Sequence, residues 1–250
     1  MKVKTLAKQV ATILGVPFST RGFHETVTYI AERIENGQKT HVVTANPEIV
    51  MLARENRAFQ SIVEQAYVVP DGIGIVYAAK WTNQPIRERV TGVELLEALM
   101  TEANKHQWGV YLLGAKPDVI SLAAEKLAAR YPNARLVGYR DGFFRAEDEE
   151  KIVQEIAEAK PELLFVALGA PRQDEWMVKY RDRLNASMMM GVGGSFDVIS
   201  GKVKRAPEIW QKLHLEWFYR LASQPSRWKR QLAIPRFVLT VLKEKWSSRS

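Results

Sequence analysis

Residues 162–184 read ELLFVALGAPRQDEWMVKYRDRL, and this stretch decides the fold class. Its first eight residues are almost all apolar, as in a strand that is buried on both faces of a sheet. A Gly-Ala-Pro turn then interrupts the apolar run, and an amphipathic pattern extends from 172 to 184. An apolar strand, a short turn and an amphipathic helix together make the repeating unit of a parallel sheet.

The same alternation recurs between residues 40 and 192. Including residues 162–169, six short apolar runs predict strands, at 41–45, 66–69, 109–114, 134–139, 162–169 and 186–192. The stretches between them predict helices at 47–65, 92–107, 117–131, 147–159 and 172–184. We therefore predict an α/β fold, with a doubly wound, mostly parallel, Rossmann-like sheet and helices on both faces. Right-handed crossovers then bring the loops after the strands to one edge, where open α/β sheets bind ligands.

The positive charge of the chain is concentrated in its last fifth. The 250 residues include 36 basic and 28 acidic side chains, a net charge of +8. Residues 202–250 contain 12 of the basic and 3 of the acidic residues, together with four tryptophans, so residues 1–201 carry a net charge of −1. We predict an α/β catalytic domain over 1–201 and a basic, amphipathic helical appendage over 202–250. Tryptophans among cations are typical of a segment that binds an anionic membrane surface.

Two other interpretations of the appendage stay open at this point. A C-terminal helix could pack its apolar face on the body and leave a basic face in solvent. A nucleic acid would also attract the charge, but no helix-turn-helix, RNP-type or zinc-finger pattern accompanies it. No apolar stretch approaches the ~20 residues that span a bilayer, and the N-terminus lacks a secretory signal. A cytoplasmic protein is therefore expected.

Several common catalytic and cofactor motifs are absent from the sequence. There is no cysteine, no GxxxxGK[ST] phosphate loop, no GxSxG elbow and no HExxH metal motif. The cluster GVGGSF does not complete a dinucleotide-binding GxGxxG, because Phe196 occupies the sixth position. The four histidines are scattered, and no Asp-x-Asp pair can hold a divalent metal. We expect no metal site and no cofactor, and the missing glycine disfavours a nicotinamide dehydrogenase.

Polar residues instead lie at the ends of the predicted strands. Thr44 and Asn46 end the strand at 41–45, although Thr and Asn before a proline also cap helices. Asp71 follows the next strand in a Pro-Asp-Gly turn, where a carboxylate is placed to act as a general base. Such a turn also forms without any function. Arg89 comes just before a predicted helix, where it could hold a phosphate or pair with a neighbouring glutamate.

Two further motifs follow strands near the end of the body. GAPRQDEW, residues 169–176, combines a turn with a helix start whose free amides face the ligand edge, and it contains Gln173. GVGGSFD, residues 191–197, has glycines that let a ligand approach the backbone, and Asp197 can accept a hydrogen bond from a ribose or a base. Taken together, these motifs at successive strand ends indicate an anionic, nucleotide-like ligand.

The motifs TANPE, PDGIG, RVTG, GAPRQDEW, GVGGSFDVISGKVKRAP and LEWFYRL resemble, in this order, those of the WecG/TagA/CpsF glycosyltransferases. The resemblance covers residues 15–230, nearly the whole chain. It implies an inverting, metal-independent enzyme that acts on undecaprenyl-diphosphate-linked sugars at the cytoplasmic face of the membrane. The branch of the family that the chain most resembles transfers N-acetylmannosamine from UDP-N-acetylmannosamine to lipid-diphosphate-linked N-acetylglucosamine, in the synthesis of the wall teichoic acid linkage unit.

The resemblance also implies a role for individual residues. Asp71 would be the catalytic base, and Asp197 would lie near the nucleotide. Four residues would line the substrate pocket: Thr44, Asn46, Arg89 and Gln173. Three arginines of the appendage would contact the diphosphate and the membrane: Arg220, Arg227 and Arg230.

The expected partners are a UDP-sugar donor, a polyprenyl-diphosphate-linked acceptor and an anionic membrane surface, with no nucleic acid. The protein is expected to be peripheral on the inner face of the cell membrane, and a homo-oligomer is compatible with the sequence. Within the family, a different donor sugar, N-acetylmannosaminuronic acid or a capsule hexose, is the alternative. From another class, a basic α/β nucleic-acid-binding protein would explain the charge but would leave Asp71 and the strand-end motifs without a role.

Overall fold

The structure is a computed structural model that describes residues 9–203, Pro207, Trp210 and residues 232–247. Eight strands form one sheet within these residues. The strands are β1 (Val10–Ile13), β2 (Val16–Ser19), β3 (Thr40–Ala45), β4 (Tyr67–Pro70), β5 (Gly109–Gly114), β6 (Arg135–Arg140), β7 (Leu163–Ala167) and β8 (Met188–Gly191). The helices are α1 (Phe23–Glu35), α2 (Pro47–Glu55), α3 (Arg57–Gln65), α4 (Ile73–Trp81), α5 (Gly92–His106), α6 (Pro117–Arg130), α7 (Glu149–Ala159), α8 (Arg172–Tyr180), α9 (Ser195–Ile199) and α10 (Ala233–Ser247). A 3-10 turn at Ala146–Asp148 precedes α7.

The predicted α/β fold with a mostly parallel sheet is confirmed. The strand order is β1-β2-β4-β3-β8-β7-β5-β6, and every neighbouring pair is parallel except the antiparallel hairpin of β1 and β2. All six predicted strands are present. The β1–β2 hairpin and the helices α1 and α4 are present although the sequence analysis did not predict them. The prediction of a single helix over 47–65 is wrong. This segment is divided into α2 and α3 because Asn56 is extended and its side chain accepts from the amide of Phe59, which starts a new helix.

Alternate residues along the strands pack on opposite layers of helices. Val42 of β3 and Phe165 of β7 belong to a core shared with α1, α5 and α6. Val43, the next residue of β3, belongs to a second core with α2, α3, α4 and α10. Leu164 of β7 faces a third core with α7 and α8, on the same side of the sheet as the second. Both faces are therefore covered, which is why the inner strands are mostly apolar, whereas the edge strands β1 and β6 keep exposed residues.

The central strands β3 and β8 mark the point where the chain changes direction. From β3 the chain moves outward to β4, whereas the connection after β4 crosses to β5 on the other half of the sheet. The loop after β3 leads to α2 on one face of the sheet, whereas the loop after β8 leads to α9 on the other face. Doubly wound sheets bind their ligands in a crevice between such diverging loops at the carboxyl edge, and this edge is called the crevice below.

The last described helix, α10, packs on the body. Phe237 and Val241 are fully buried in the core formed with α2, α3 and α4. Two ion pairs join α10 to α2: Arg54 with Glu244 at 2.8 Å, and Arg236 with Glu55 at 2.6 Å. No helix among the described residues combines the length and the apolar composition that crossing a bilayer requires.

Candidate active site

The loops after β3 and β4 meet at the start of α5, and this contact brings Thr44 and Asp71 together. The amide of Asp71 donates to the carbonyl of Ala45 over 2.9 Å. The carboxylate of Asp71 accepts a 3.4 Å hydrogen bond from the amide of Gly92, the first residue of α5. A Cβ atom at Gly92 would lie 3.3 Å from Thr44 Oγ1 and 3.6 Å from Asp71 Oδ2. The hydroxyl and the carboxylate therefore flank the same point at the carboxyl edge of the sheet.

Arg89 lies beside this pair, because the segment that contains it is bonded to the end of β4. The amide of Val90 donates to the carbonyl of Pro70 over 2.7 Å, which places the backbone of residue 89 next to the loop that contains Asp71. The neighbouring Glu88 is engaged elsewhere, since its carboxylate accepts from the amide of Phe23 at the start of α1. A half-buried guanidinium at this position can bind an anionic group close to the carboxylate.

A surface cavity of about 430 Å³ lies between the start of α1 and the loop after α4. Residues 87 and 88 of its lining directly precede Arg89 in sequence. Two cations, Arg21 and Arg87, and two carboxylates, Glu25 and Glu88, line it. The cavity therefore has charged groups of both signs, next in sequence to the RVTG motif.

Asn46 caps α2, as the helix-capping interpretation of its motif predicted. Its Oδ1 accepts from the amide of Ile49 over 3.0 Å, and Pro47 occupies the first helical position. This bond fixes the loop between β3 and α2 directly after Thr44. The carboxamide is half-buried at the crevice edge, so that capping the helix and lining a pocket are compatible roles.

Gln173 lies on the other side of the crevice, against Gly191 at the end of β8. A Cβ atom at Gly191 would come within 2.2 Å of Gln173 Nε2, so the carboxamide occupies the space that any side chain there would need. The carbonyl of Gly191 accepts from Thr44 Oγ1 over 3.4 Å. Thr44, Asp71 and Gln173 therefore form one contiguous group, linked through two glycines.

Asp197 lies in the short helix α9, which begins after the glycines that follow β8. Its side chain is half-buried, and its carbonyl accepts from the amide of Val203 over 3.0 Å. Gly193 in the same loop has φ +48°, and a Cβ atom there would meet no heavy atom within 4 Å. The backbone before α9 therefore leaves space for a ligand to approach.

The predicted appendage arginines, Arg220, Arg227 and Arg230, lie outside the described residues. Within the described part of the chain, no group of three or more histidine, aspartate or glutamate side chains is arranged to hold a metal ion.

Sequence reasoning missed a buried pair that adjoins the site. His41 Nε2 lies 3.1 Å from Asp174 Oδ1, and the two side chains are 4% and 1% exposed. His41 precedes Thr44 on β3 and Asp174 follows Gln173 on α8. A histidine inside an apolar strand and an aspartate inside GAPRQDEW were the available signals, but their pairing depends on the strand order.

Comparisons with known proteins identify the family to which the chain is similar. The family model for the glycosyl transferase WecG/TagA/CpsF family matches residues 11–250. A protein of Bacillus subtilis (strain 168) named N-acetylglucosaminyldiphosphoundecaprenol N-acetyl-beta-D-mannosaminyltransferase is 39% identical over 238 residues, 94% of this chain and 92% of that protein. Proteins with the same name from Bacillus spizizenii (strain ATCC 23059 / NRRL B-14472 / W23) and Staphylococcus aureus (strain MW2) are each 37% identical. They cover 90% and 93% of this chain, and 86% and 92% of their own lengths.

Proposed function

Because the chain belongs to the WecG/TagA/CpsF family of glycosyltransferases, we propose that it transfers N-acetylmannosamine from UDP-N-acetylmannosamine to undecaprenyl-diphosphate-linked N-acetylglucosamine. Three relatives, each aligned over nine-tenths or more of the chain, are named as N-acetylmannosaminyltransferases that act on diphosphoundecaprenol-linked N-acetylglucosamine. Their names support the transferred sugar and the acceptor. The observation that carries the proposal is the convergence of Thr44 and Asp71 at the start of α5, with Arg89 beside them.

The proposed reaction is a single displacement with inversion at the anomeric carbon. Asp71 takes the proton of the acceptor hydroxyl, whose oxygen forms a bond to the anomeric carbon of the donor. The bond from that carbon to the diphosphate oxygen breaks, and UDP leaves with the electron pair. The amide of Gly92 holds one carboxylate oxygen of Asp71, and this bond orients the proposed base.

The leaving diphosphate needs positive charge, which cations and helix starts can supply without a metal ion. Arg89 precedes Val90, which is bonded to the end of β4, and Arg172 begins α8, so both are proposed to contact the diphosphate. Arg220, Arg227 and Arg230 of the appendage would supply more. Asp197 would contact the nucleotide, since it follows the open glycine loop after β8.

Gln173 is proposed to contact the sugar or the nucleotide. The Gln173 residue is 7% exposed, and its side-chain atom Oε1 is buried without a hydrogen-bond partner in the structure. Leaving a buried acceptor unsatisfied costs about 1–3 kcal/mol. A hydroxyl or an N–H group of the substrate would satisfy it, and Gln173 packs against Gly191, whose carbonyl accepts from the Thr44 hydroxyl.

A donor panel tests the proposal. The full-length protein is incubated with a short-chain lipid-diphosphate N-acetylglucosamine and, separately, with UDP-linked N-acetylmannosamine, N-acetylglucosamine, N-acetylmannosaminuronic acid and glucose. We expect a product with the mass of one added N-acetylhexosamine from UDP-N-acetylmannosamine, with NMR couplings of the inverted anomer. Efficient transfer of the uronic acid or of glucose instead would replace the proposed donor, and a retained anomer would exclude the single displacement.

We also propose that the protein attaches peripherally to the inner face of the membrane through its C-terminal region. Leu239 and Trp246 are spaced seven residues apart, which places them on one side of α10. Leu239 and Trp246 are 67% and 68% exposed, in a region with a net charge of +9, and Lys243 is also exposed. Apolar and aromatic side chains beside lysines favour the boundary between headgroups and acyl chains of an anionic bilayer.

Flotation with vesicles measures this attachment. The full-length protein should float with vesicles that contain phosphatidylglycerol and should be released as salt is raised, because each engaged cation contributes about 1 kcal/mol near an anionic surface. Leu239→Glu should weaken flotation, whereas Val10→Glu, at a similarly exposed apolar residue on β1, should not. Equal flotation of the two variants would exclude α10 as a contact surface.

A further inference from the structure

The buried side-chain atoms without a hydrogen-bond partner are concentrated on α8. In the described part of the chain they are Gln173 Oε1, Asp174 Oδ2 and Trp176 Nε1. Buried polar groups are almost always paired, so such a cluster requires an explanation. These three atoms lie within the first four residues that follow Arg172, where α8 meets the crevice.

Asp174 connects this helix start to the centre of the sheet. Its Oδ1 lies 3.1 Å from His41 Nε2, and because a carboxylate only accepts, Nε2 is the ring nitrogen that donates. His41 is on β3, where it is aligned with Met189 of β8 and shares a face with Val43. The pair therefore reaches from α8 across β8 to β3, between the apolar cores that cover this face.

Stability does not account for this pair. Replacing a buried ionic pair by apolar side chains of similar volume is often neutral or stabilising, and the surrounding residues are apolar. One oxygen of Asp174 is left unsatisfied, which adds a further penalty. The pair instead supplies a directional hydrogen bond that joins α8 to β3.

This bond lies beside Gln173. A Cβ atom at Gly191 would lie 2.2 Å from Gln173 Nε2 and 3.3 Å from Asp174 Oδ1, so both side chains cross β8 at the same residue. The N-cap residue of α8, Pro171, makes no side-chain capping bond. The backbone amide of Gln173 donates to the carbonyl of Gly169 over 2.9 Å, and the bond between Asp174 and His41 is the side-chain bond that ties the first turn of α8 to the sheet.

We infer that His41 and Asp174 are positioning residues, which hold the first turn of α8 so that the Gln173 carboxamide lies at the substrate crevice. The inference rests on the proposed function for the role of Gln173, but the placement of α8 is a separate property that can be measured without substrate.

Two amide substitutions that differ in reach provide the test. The Nε2 atom of glutamine lies at about the same distance from the backbone as His Nε2, so His41→Gln keeps a donor for Asp174. His41→Asn has the same polar group but is one methylene too short to reach it. We expect His41→Asn to lower kcat/KM by about 10- to 100-fold, because displacements of about 1 Å have effects of this size, while His41→Gln stays within about threefold of the wild type.

The loss in His41→Asn should equal that of Gln173→Ala, and the double variant should lose no more than either single variant. Hydrogen exchange of peptides 169–176 and 177–184, followed by mass spectrometry, is the readout that does not depend on activity. Exchange in His41→Asn should accelerate in peptide 169–176 only.

The outcomes separate the two proposals. If the wild type transfers no sugar from any donor, the proposed function fails, and the exchange of peptide 169–176 still decides whether the pair positions α8. Equal exchange rates in the asparagine and glutamine variants would overturn the inference, as would equal kcat/KM or multiplied losses in the double variant. If His41→Asn does not fold, Asp174→Leu against Asp174→Asn makes the same comparison, since asparagine keeps the accepting oxygen.

Discussion

At the scale of single residues, the site depends on two positions that have no side chain. Gly92 lets the Thr44 hydroxyl and the Asp71 carboxylate approach the start of α5, and Gly191 gives Gln173 its place over β8. Sequence reasoning found the functional side chains, because polar residues at the ends of apolar strands are conspicuous. It did not assign these roles to the glycines, since the atoms that need the space come from other elements.

Gly191→Ala should displace Gln173 from the crevice. The new methyl group would lie 2.2 Å from Nε2 and 2.8 Å from Cδ, at the mobile end of a long side chain that can move away. We therefore expect a small change in the unfolding free energy, about 1 kcal/mol, and a loss of kcat/KM similar to that of Gln173→Ala. Urea titration and steady-state kinetics measure both quantities. Wild-type kinetics in Gly191→Ala would show that the carboxamide position does not matter.

Asp71→Asn removes the proposed base but keeps its size and its turn propensity. General-base catalysis contributes about 10²- to 10⁴-fold, so turnover should fall by that factor while UDP binding, measured by calorimetry, persists. The pH–rate profile should also lose its acidic limb. Retention of more than about a third of the activity would contradict the assignment, and Asp141→Asn, in an exposed loop after β6, is the control for removing a carboxylate.

At the scale of elements, the strands were the most predictable part of the fold. Apart from the edge strand β6, the parallel strands from β3 to β8 are buried on both faces, which makes them mostly apolar and easy to recognise. The β1–β2 hairpin has only four residues in each strand, and α4 is apolar on most sides because α10 covers it. Neither pattern shows the periodicity on which the prediction depended. The pairing of His41 with Asp174 was unpredictable for a related reason, since residues 133 positions apart meet only through the strand order.

The packing of α10 can be tested with two residues of the same helix. Phe237→Ala should lower the unfolding free energy by about 3–5 kcal/mol, because it empties a fully buried position between α10, α2 and α4. Leu239→Ala, at a position that is 67% exposed, should change it by less than about 0.5 kcal/mol. Chemical denaturation followed by circular dichroism gives both values. Similar values for the two variants would mean that α10 does not contribute to the core in solution.

At the scale of the whole molecule, the charged residues are distributed unevenly along the chain. The body is close to neutral, the last fifth carries the positive excess, and the described residues contain no cluster of three metal-binding side chains. The charge distribution was evident from composition alone. Where the appendage arginines lie relative to the crevice is a matter of tertiary structure, and composition does not specify it.

We predict that transfer proceeds without a divalent metal. Adding EDTA to the purified protein should leave the initial rate unchanged, because arginines and helix starts are proposed to stabilise the leaving diphosphate. The control is a reaction with added magnesium, which should give the same rate. A tenfold loss in EDTA that magnesium or manganese restores would contradict this prediction, and carboxylates near Asp71 and Asp197 would then be candidate ligands.

The docking of α10 has a consequence for the segment that precedes it. Residues 204–231 join α9 to a helix whose inner side is buried in the core, so the segment is anchored at both ends. Arg220, Arg227 and Arg230 lie in sequence between these two attachment points. A single cleavage of the chain between residue 231 and α10 would keep all three arginines on the protein but would detach the far end of the segment. Activity measured before and after such a cleavage would therefore report on the second attachment point separately from the arginines themselves.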